Sequence, residues 1–329
     1  MFPRPPPIGI LIPVYNGARH LQECIESALE QKGVEKEIWI SDDGSTDDSR
    51  AIMERFQRPG VHILTSKKNQ GLFANLNHLI MASRNPFFQI LCQDDILEPE
   101  CVSTVLKQFS RSARAGIMFS KSTSIDLNSK VMGKARLYDL PNILRPELAL
   151  QHFFFHGCIP SNLSTVALRR SALIDVGLFD EGFKVSGDYE LWTRICRTYE
   201  MGIVHDHLVR IRSHKGQLSA ASQSGPSFVA ENRRIRHELV AELPVSVQKQ
   251  VPKFEVGRYG VLDFHYAFRS ILQGRLGNAR RVFSTMGPRH TLLCGLNWLF
   301  SINNRVLRPQ AEFVLPRNYR VGPGISLQQ

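Results

Sequence analysis

The chain has 329 residues, a formal net charge of +11 and 43% hydrophobic residues. That length suits one large α/β domain with an appendage or two domains, and the apolar content is that of an ordinary soluble globular chain. Six scattered cysteines without a CxxC pair, a start (Met1-Phe2-Pro3-Arg4-Pro5-Pro6-Pro7) unlike a signal peptide, and no apolar run of the roughly 18–20 residues that span a bilayer together predict a cytoplasmic protein.

In chain order, the first 120 residues alternate two patterns. Ile8–Val14 is a continuous apolar run, as in a buried parallel strand. Leu21, Cys24, Ile25, Ala28 and Leu29 then recur at helical spacing. Residues 37–41 predict a second strand, closed by Asp42-Asp43-Gly44-Ser45. Ser45 followed by Asp48 predicts a helix start of the capping-box kind, continued by Ile52, Met53 and Phe56. Val61–Thr65 reads as a third strand, residues 73–83 as a helix with Leu76, Leu79 and Ile80 on one face, residues 87–92 as a fourth strand and 116–120 as a fifth. This βαβαβαβ order predicts an α/β fold with a doubly wound, mainly parallel sheet.

From about residue 120 to 219 the pattern is less regular, as expected of a substrate-facing half. A loop over 182–187 precedes a helix marked by Leu191, Trp192, Ile195 and Tyr199, and residues 217–226 read as a linker. Beyond it helical segments carry Leu239, Val240 and Leu243, then residues 261–276, then an apolar stretch over 291–302 flanked by Arg289, Arg305 and Arg308. Residues 226–329 hold 15 Arg/Lys against 6 Asp/Glu, a net +9 that leaves +2 for the rest. So basic a tail predicts either a solvated helical surface or an anionic neighbour: a membrane surface, nucleic acid or an acidic glycan.

The chemistry-bearing positions are acidic. Asp42-Asp43 closes the second strand, Gln93-Asp94-Asp95 ends the fourth, and Asp188 precedes a helix. Parallel strands open their carboxyl ends on one edge, so the first two pairs share a crevice. Two adjacent carboxylates at a buried strand's tip either meet a cation or cap the next helix. No G-x-G-x-x-G follows the first strand and no G-x-x-x-x-G-K-[ST] occurs. A crevice rich in Asp without a glycine cradle predicts a diphosphate held through a divalent cation. The spacing of His205 and His207 puts both on one face of a strand, which would suit zinc, but with no third ligand nearby they read as structural.

Pro13-Val14-Tyr15-Asn16, Asp42-Asp43-Gly44-Ser45-Thr46-Asp47, Asn69-Gln70-Gly71, Gln93-Asp94-Asp95 and Gly177-Leu178-Phe179-Asp180 stand in the order and spacing of glycosyltransferase family 2. Over roughly residues 8–219 the chain resembles that family of inverting enzymes with the GT-A fold. The resemblance implies a catalytic domain over 1–219 (nucleotide-binding half about 8–120, acceptor half about 121–219), with a basic helical region over 220–329 outside it. It implies that Tyr15 stacks on the donor's base, Pro13 supplies backbone beside it, and Asp43 accepts the base's imide N–H. Asp94 would contact the ribose, Asp95 would bind Mn²⁺ or Mg²⁺, and Asn75 would be a polar donor-binding side chain. Asp188 aligns with the catalytic base, its alternative being an N-cap. His214, in an R-x-H segment, would complete the metal shell or contact the pyrophosphate or acceptor. The expected reaction moves a sugar from a nucleoside diphosphate, with uridine preferred and thymidine or guanosine open. The expected acceptor is a hydroxyl of a cell-surface glycan or its lipid-linked precursor. A possible further partner is an anionic membrane surface meeting residues 226–329; no nucleic-acid partner is expected. The rivals are nucleotidyl transfer, which the single glycine of Tyr15-Asn16-Gly17-Ala18-Arg19 does not suit, and an inactive carbohydrate-binding or scaffold protein of the same fold.

Overall fold

The computed structural model describes residues 6–135, 140–160, 162–214 and 225–301. The first half runs β1 (Ile8–Val14), α1 (Ala18–Leu29), β2 (Lys36–Asp42), α2 (Ser49–Arg55), β3 (Val61–Thr65), α3 (Leu72–Ala82), β4 (Phe87–Ile90), β5 (Ile96–Leu97), α4 (Cys101–Arg111) and β6 (Ala115–Ile125). The next part holds β7 (Val131–Lys134), β8 (Ile143–Leu144), α5 (Pro146–His156), β9 (Val166–Arg169), α6 (Arg170–Val176), α7 (Gly187–Cys196) and β10 (Glu200–Arg212). The C-terminal helices are α8 (Gly225–Val240), α9 (Val245–Gln248), α10 (Val251–Phe254), α11 (Gly260–Leu272), α12 (Leu276–Met286) and α13 (Pro288–Ser301), with a π-turn over Glu255–Tyr259 between α10 and α11.

One sheet organises the molecule, in the order β3-β2-β1-β4-β9-β6-β10-β5, with β7 added to β6 and β8 to β10. β3, β2, β1 and β4 are parallel, as the apolar runs predict. The fifth predicted strand does not follow the fourth. β9 lies between β4 and β6, antiparallel to both, and β10 runs parallel to β6. The cause is visible in β4. Its buried Gln89 spends Nε2 on the carbonyls of Ser164 and Val166 at 2.8 and 3.1 Å, so β4 carries a docking point for the chain entering β9.

Side-chain alternation along β1 divides the core: Ile8, Ile10, Ile12 and Val14 pack with α1 and α4, and Leu11 packs on the other face with α3, α5 and α7. Ile235 and Leu239 of α8, with Leu243 after it, join that second cluster together with Phe153 and Trp192. The expected linker over 217–226 ends inside α8 at Gly225; its residues 217–224 lie outside the described residues.

Two further expectations are corrected. The helix after β2 begins at Ser49, and Ser45 caps nothing. Its hydroxyl accepts the Asn16 N–H at 2.9 Å, while Asp47 takes the Ser49 N–H and hydroxyl and shapes the turn instead. The predicted helix over 261–276 is two helices, divided at Gly274 with φ +72°. Among the described residues no helix is long and apolar enough to cross a membrane.

Candidate active site

The strands β1, β2, β4 and β10 all end on the same sheet edge, and every predicted site residue except Asp188 and Asn75 lies on or just beyond one of those ends. Their loops are stitched together. Gln93 clamps the Tyr15 backbone, accepting its N–H at 2.9 Å and donating to its carbonyl at 3.0 Å. The approach leaves no room at Gly17, where a Cβ would stand 2.2 Å from Gln93 Oε1. Asn16, in the left-handed region with φ 50°, accepts the Thr46 N–H at 2.8 Å, and Asp47 accepts the Ala18 N–H. This leaves the Tyr15 ring 44% exposed above the edge, and Pro13 buried within β1 opposite Ser41.

Asp43 is 2% exposed, and its two oxygens accept the N–H groups of Gln70 and Gly71 at 2.9 Å each. It therefore fixes the turn into α3, with a second lone pair remaining on each oxygen. Asp42 is spent on structure: Arg50 Nε reaches it at 2.6 Å. Asn75 is 4% exposed, and its Nδ2 donates to the Ser41 carbonyl at 2.9 Å, bracing α3 against β2.

The two acids after β4 differ in exposure and in partners. Asp95 is 1% exposed, accepting the Ser164 hydroxyl at 2.6 Å and the Arg212 N–H at 3.0 Å. Burial pushes it up to about 7, against those two hydrogen bonds. A carboxylate so enclosed is a strut. Asp94 keeps more of its side chain open and meets His214, with Nε2 2.8 Å from Oδ2. Arg212, wholly buried, holds the pair in place. Its Nε donates to the Asp94 carbonyl, and its other nitrogens reach the Asp126 carbonyl, Ser129 Oγ and Glu23 Oε2, the last at 2.6 Å.

Asp188 stands in the first turn of α7, whose N-cap is Ser186, so it is not the capping residue. The helix start packs closely on α3: a Cβ on Gly187 would fall 2.7 Å from the Phe73 ring. Asp188 Oδ1 accepts the Tyr189 N–H at 2.7 Å, and the Cys158 thiol lies 3.9 Å from Oδ2. Burial pushes Asp188 up to about 6; those hydrogen bonds oppose the rise and the Glu231 charge adds to it. After burial, the charges of Asp95, Asp94 and Asp188 add to the upward push on the half-buried Cys92 thiol.

Three contributors were not singled out from sequence. Ser164 and Glu231 carry no local signal. Glu231, on α8, accepts the N–H groups of Lys184, Val185 and Ser186 at 2.7–3.0 Å and so holds the segment leading to Asp188. Gln93 does lie inside a recognised motif, and its amide beside the two acids was the available clue. His205 and His207 sit on β10, with His207 Nε2 3.1 Å from the Ala135 carbonyl.

Among the described residues no three His, Cys, Asp or Glu side chains cluster closely enough to hold a metal ion. The Asp94 and His214 pair nevertheless fits a divalent ion of the Mg²⁺ or Mn²⁺ kind, which takes one or two protein ligands and completes its shell with phosphate oxygens and water.

The sequence profile of glycosyl transferase family 2 matches residues 9–177, and the chain belongs to that family. It is 28% identical over 218 residues to an uncharacterized glycosyltransferase of Rickettsia typhi, a match covering 65% of this chain and 66% of the relative. It is 27% identical over 194 residues to the hyaluronan synthase of Pasteurella multocida, covering 58% of this chain and 19% of that protein. Among solved structures, S. aureus TarS 1–349 superposes with a TM-score of 0.61 at 16% identity, over 89% of this chain and 88% of that one. The same TarS fragment in complex with UDP-GlcNAc gives 0.54 at 15% identity, over 84% and 90%. The architecture is therefore of the GT-A type, with a helical C-terminal region.

Proposed function

We propose that the protein is an inverting glycosyltransferase that moves one sugar from a uridine diphosphate donor to a hydroxyl of a surface glycan or its lipid-linked precursor. The observation that carries it is the Asp94–His214 pair, 2.8 Å apart, at the sheet edge where the Tyr15 and Asp43 loops also end, in a chain of glycosyl transferase family 2. Uridine as the base is supported by the TarS complexes with UDP and with UDP-GlcNAc. A glycan acceptor is supported by the hyaluronan and chondroitin synthases among the relatives.

In this reading Tyr15 stacks on the uracil ring, Pro13 shapes the adjoining backbone, and Asp43 accepts the imide N–H through a remaining lone pair. Asp94 and His214, rather than Asp95, hold the divalent ion, which when bound neutralises charge on the diphosphate. The acceptor oxygen attacks the anomeric carbon from the face opposite the nucleotide. Its proton passes to Asp188, and the bond to the diphosphate breaks with its electron pair leaving on the phosphate oxygen. A carboxylate raised to about 6 is mostly ionised at neutral pH and a stronger base than an ordinary Asp, and positioned general-base catalysis contributes about 10²–10⁴-fold. The test is UDP release from UDP-sugars with Mn²⁺, assayed without acceptor. Release confined to one UDP-sugar and stopped by chelation supports the reading; failure of all nucleoside diphosphate sugars to bind or react overturns it.

A further inference from the structure

The C-terminal helix α13 is apolar on two opposite faces, and only one is covered. Cys294, wholly buried, Gly295 and Trp298 face α11: a Cβ on Gly295 would lie 2.9 Å from the Phe264 ring, and the Trp298 ring packs 4.8 Å from Phe268. On the other side Leu292, Leu293, Leu296 and Leu299 are 65%, 50%, 46% and 59% exposed. At about 100° per residue these four fall within an arc of roughly 120°. The exposed surface continues past α13, because a shallow groove of ≈ 650 Å³ lined by Ile271, Leu276, Arg280, Phe283 and Thr291 joins the end of α11, α12 and the start of α13. Leu272 and Leu276 beside it are 71% and 64% exposed. A helix apolar all round is one whose second face meets something other than water.

The charge around the patch selects the occupant. Residues 264–301 contain Arg269, Arg275, Arg280, Arg281 and Arg289, all exposed, and no Asp or Glu. A second copy joined through this face by a two-fold axis would set the same arginines against each other. The described part of α13, 14 residues or about 21 Å, is shorter than the roughly 30 Å hydrocarbon core. Exposed leucines, with five exposed arginines on or between the same three helices and the nearest acids, Glu255 and Asp263, not exposed, match an anionic bilayer surface, where leucines enter the acyl boundary and guanidinium groups meet lipid phosphate.

We propose that the Leu292–Leu293–Leu296–Leu299 face of α13, with the adjoining corner of α11 and α12, docks the protein on an anionic lipid bilayer. The tail is firmly joined to the catalytic core, so docking orients the whole enzyme. Arg236 of α8 lies 4.0 Å over the Tyr259 ring, whose hydroxyl donates to the Phe154 carbonyl, and Arg233 reaches Asp263 of α11 at 3.4 Å.

The experiment is co-sedimentation of the full-length protein with phosphatidylcholine vesicles, alone or containing phosphatidylglycerol, at rising salt. Binding is expected only to the anionic vesicles and to weaken with salt. Leu292→Ser with Leu296→Ser should lower partitioning by more than about tenfold, and Arg280→Gln with Arg281→Gln by about fivefold per arginine. All four positions are exposed, so unchanged melting and unchanged UDP binding are expected of both variants. Equal binding to neutral and anionic vesicles, absence of binding, or binding indifferent to both variants overturns the proposal. So does a wild-type dimer in sedimentation velocity that the leucine variant dissolves, which would assign the face to a second copy.

Discussion

Replacing Asp188 by Asn separates catalysis from structure, because the two effects have opposite signs. Asn keeps the acceptor for the Tyr189 N–H and the shape of the side chain but cannot take a proton. In the folded protein Asp188 is raised from 3.8 to about 6, mainly by burial. Below pH 3.8 it is protonated folded and unfolded alike, and contributes no difference. Between 3.8 and about 6 the unfolded chain ionises first, so stability falls as pH rises. Above about 6 the full cost is in place. Two pK units and a fraction correspond to about 3 kcal/mol, an upper limit because part of the side chain remains open to solvent. About half of that cost is present at pH 5. The Asn variant should therefore unfold at a higher temperature than wild type at pH 8, with a smaller gain at pH 5. Transfer should fall by about 10²–10⁴-fold with little change in UDP affinity, and the acid limb of kcat/KM near pH 6 should vanish. Denaturant melts at the two pH values and a transfer assay decide it. Near-normal transfer, or a variant less stable at pH 8, would refute the assignment of Asp188 as a buried base.

The two acids after β4 should respond differently. Asp94→Ala should abolish metal-dependent UDP binding in calorimetry with little loss of stability. Asp95→Ala should cost about 3 kcal/mol or more in denaturant melts, since it strands the Ser164 hydroxyl and the Arg212 N–H. The reverse pattern would return the metal to Asp95. Chelation should stop transfer and added Mn²⁺ or Mg²⁺ restore it; activity indifferent to chelators would remove the ion from the mechanism. Glu231→Gln should move the acid limb of kcat/KM to lower pH, since Glu231 adds to the rise at Asp188, and should lower transfer without weakening UDP binding; an unmoved limb would reduce Glu231 to a structural tie. Tyr15→Ala should weaken UDP binding roughly tenfold, the scale of one base–aromatic stack, with unchanged melting because the ring is exposed.

What could be read from the sequence follows from how local each cause is. β1 and β4 were legible because strands buried on both faces write continuous apolar runs such as Ile8–Val14. β9 was not, because a four-residue strand carries too little pattern, and its place beside β4 is set by Gln89 reaching across 75 and 77 positions to Ser164 and Val166. The motif around Asp94 and Asp95 was visible, but not which acid is the more buried. That choice belongs to Arg212 and Ser164, which are 117 and 69 positions distant from Asp95. Ser45 misled for a related reason: a serine three residues before an acid can cap a helix, but here its hydroxyl was claimed by Asn16 from a neighbouring loop. Glu231 could not be found at all, since its partners are backbone N–H groups that any sequence would supply.

The adjacency of Asp94 and Asp95 then has a physical purpose. A lone acid at a strand tip, free to rotate, would be a poor ligand, because ordering it would cost entropy each time a donor bound. Here the neighbouring acid is sacrificed to rigidity. Asp95 is locked by Ser164 and by the Arg212 N–H, and the same Arg212 donates through Nε to the carbonyl of Asp94. The Arg212 charge is balanced by Glu23 rather than by Asp94, whose side chain meets His214 instead. The guanidinium thus fixes the backbone of Asp94, the ligand we propose, without consuming its carboxylate. Lys at position 212 could not do this, since one ammonium cannot reach the Asp94, Asp126 and Glu23 acceptors in three directions at once. Arg212→Lys should leave the Asp95 contact, which is made by the backbone, and loosen Asp94. Weaker metal-dependent UDP binding than wild type, in a variant that still folds, is the expected result in calorimetry. Wild-type affinity in that variant would show that Asp94 needs no such support.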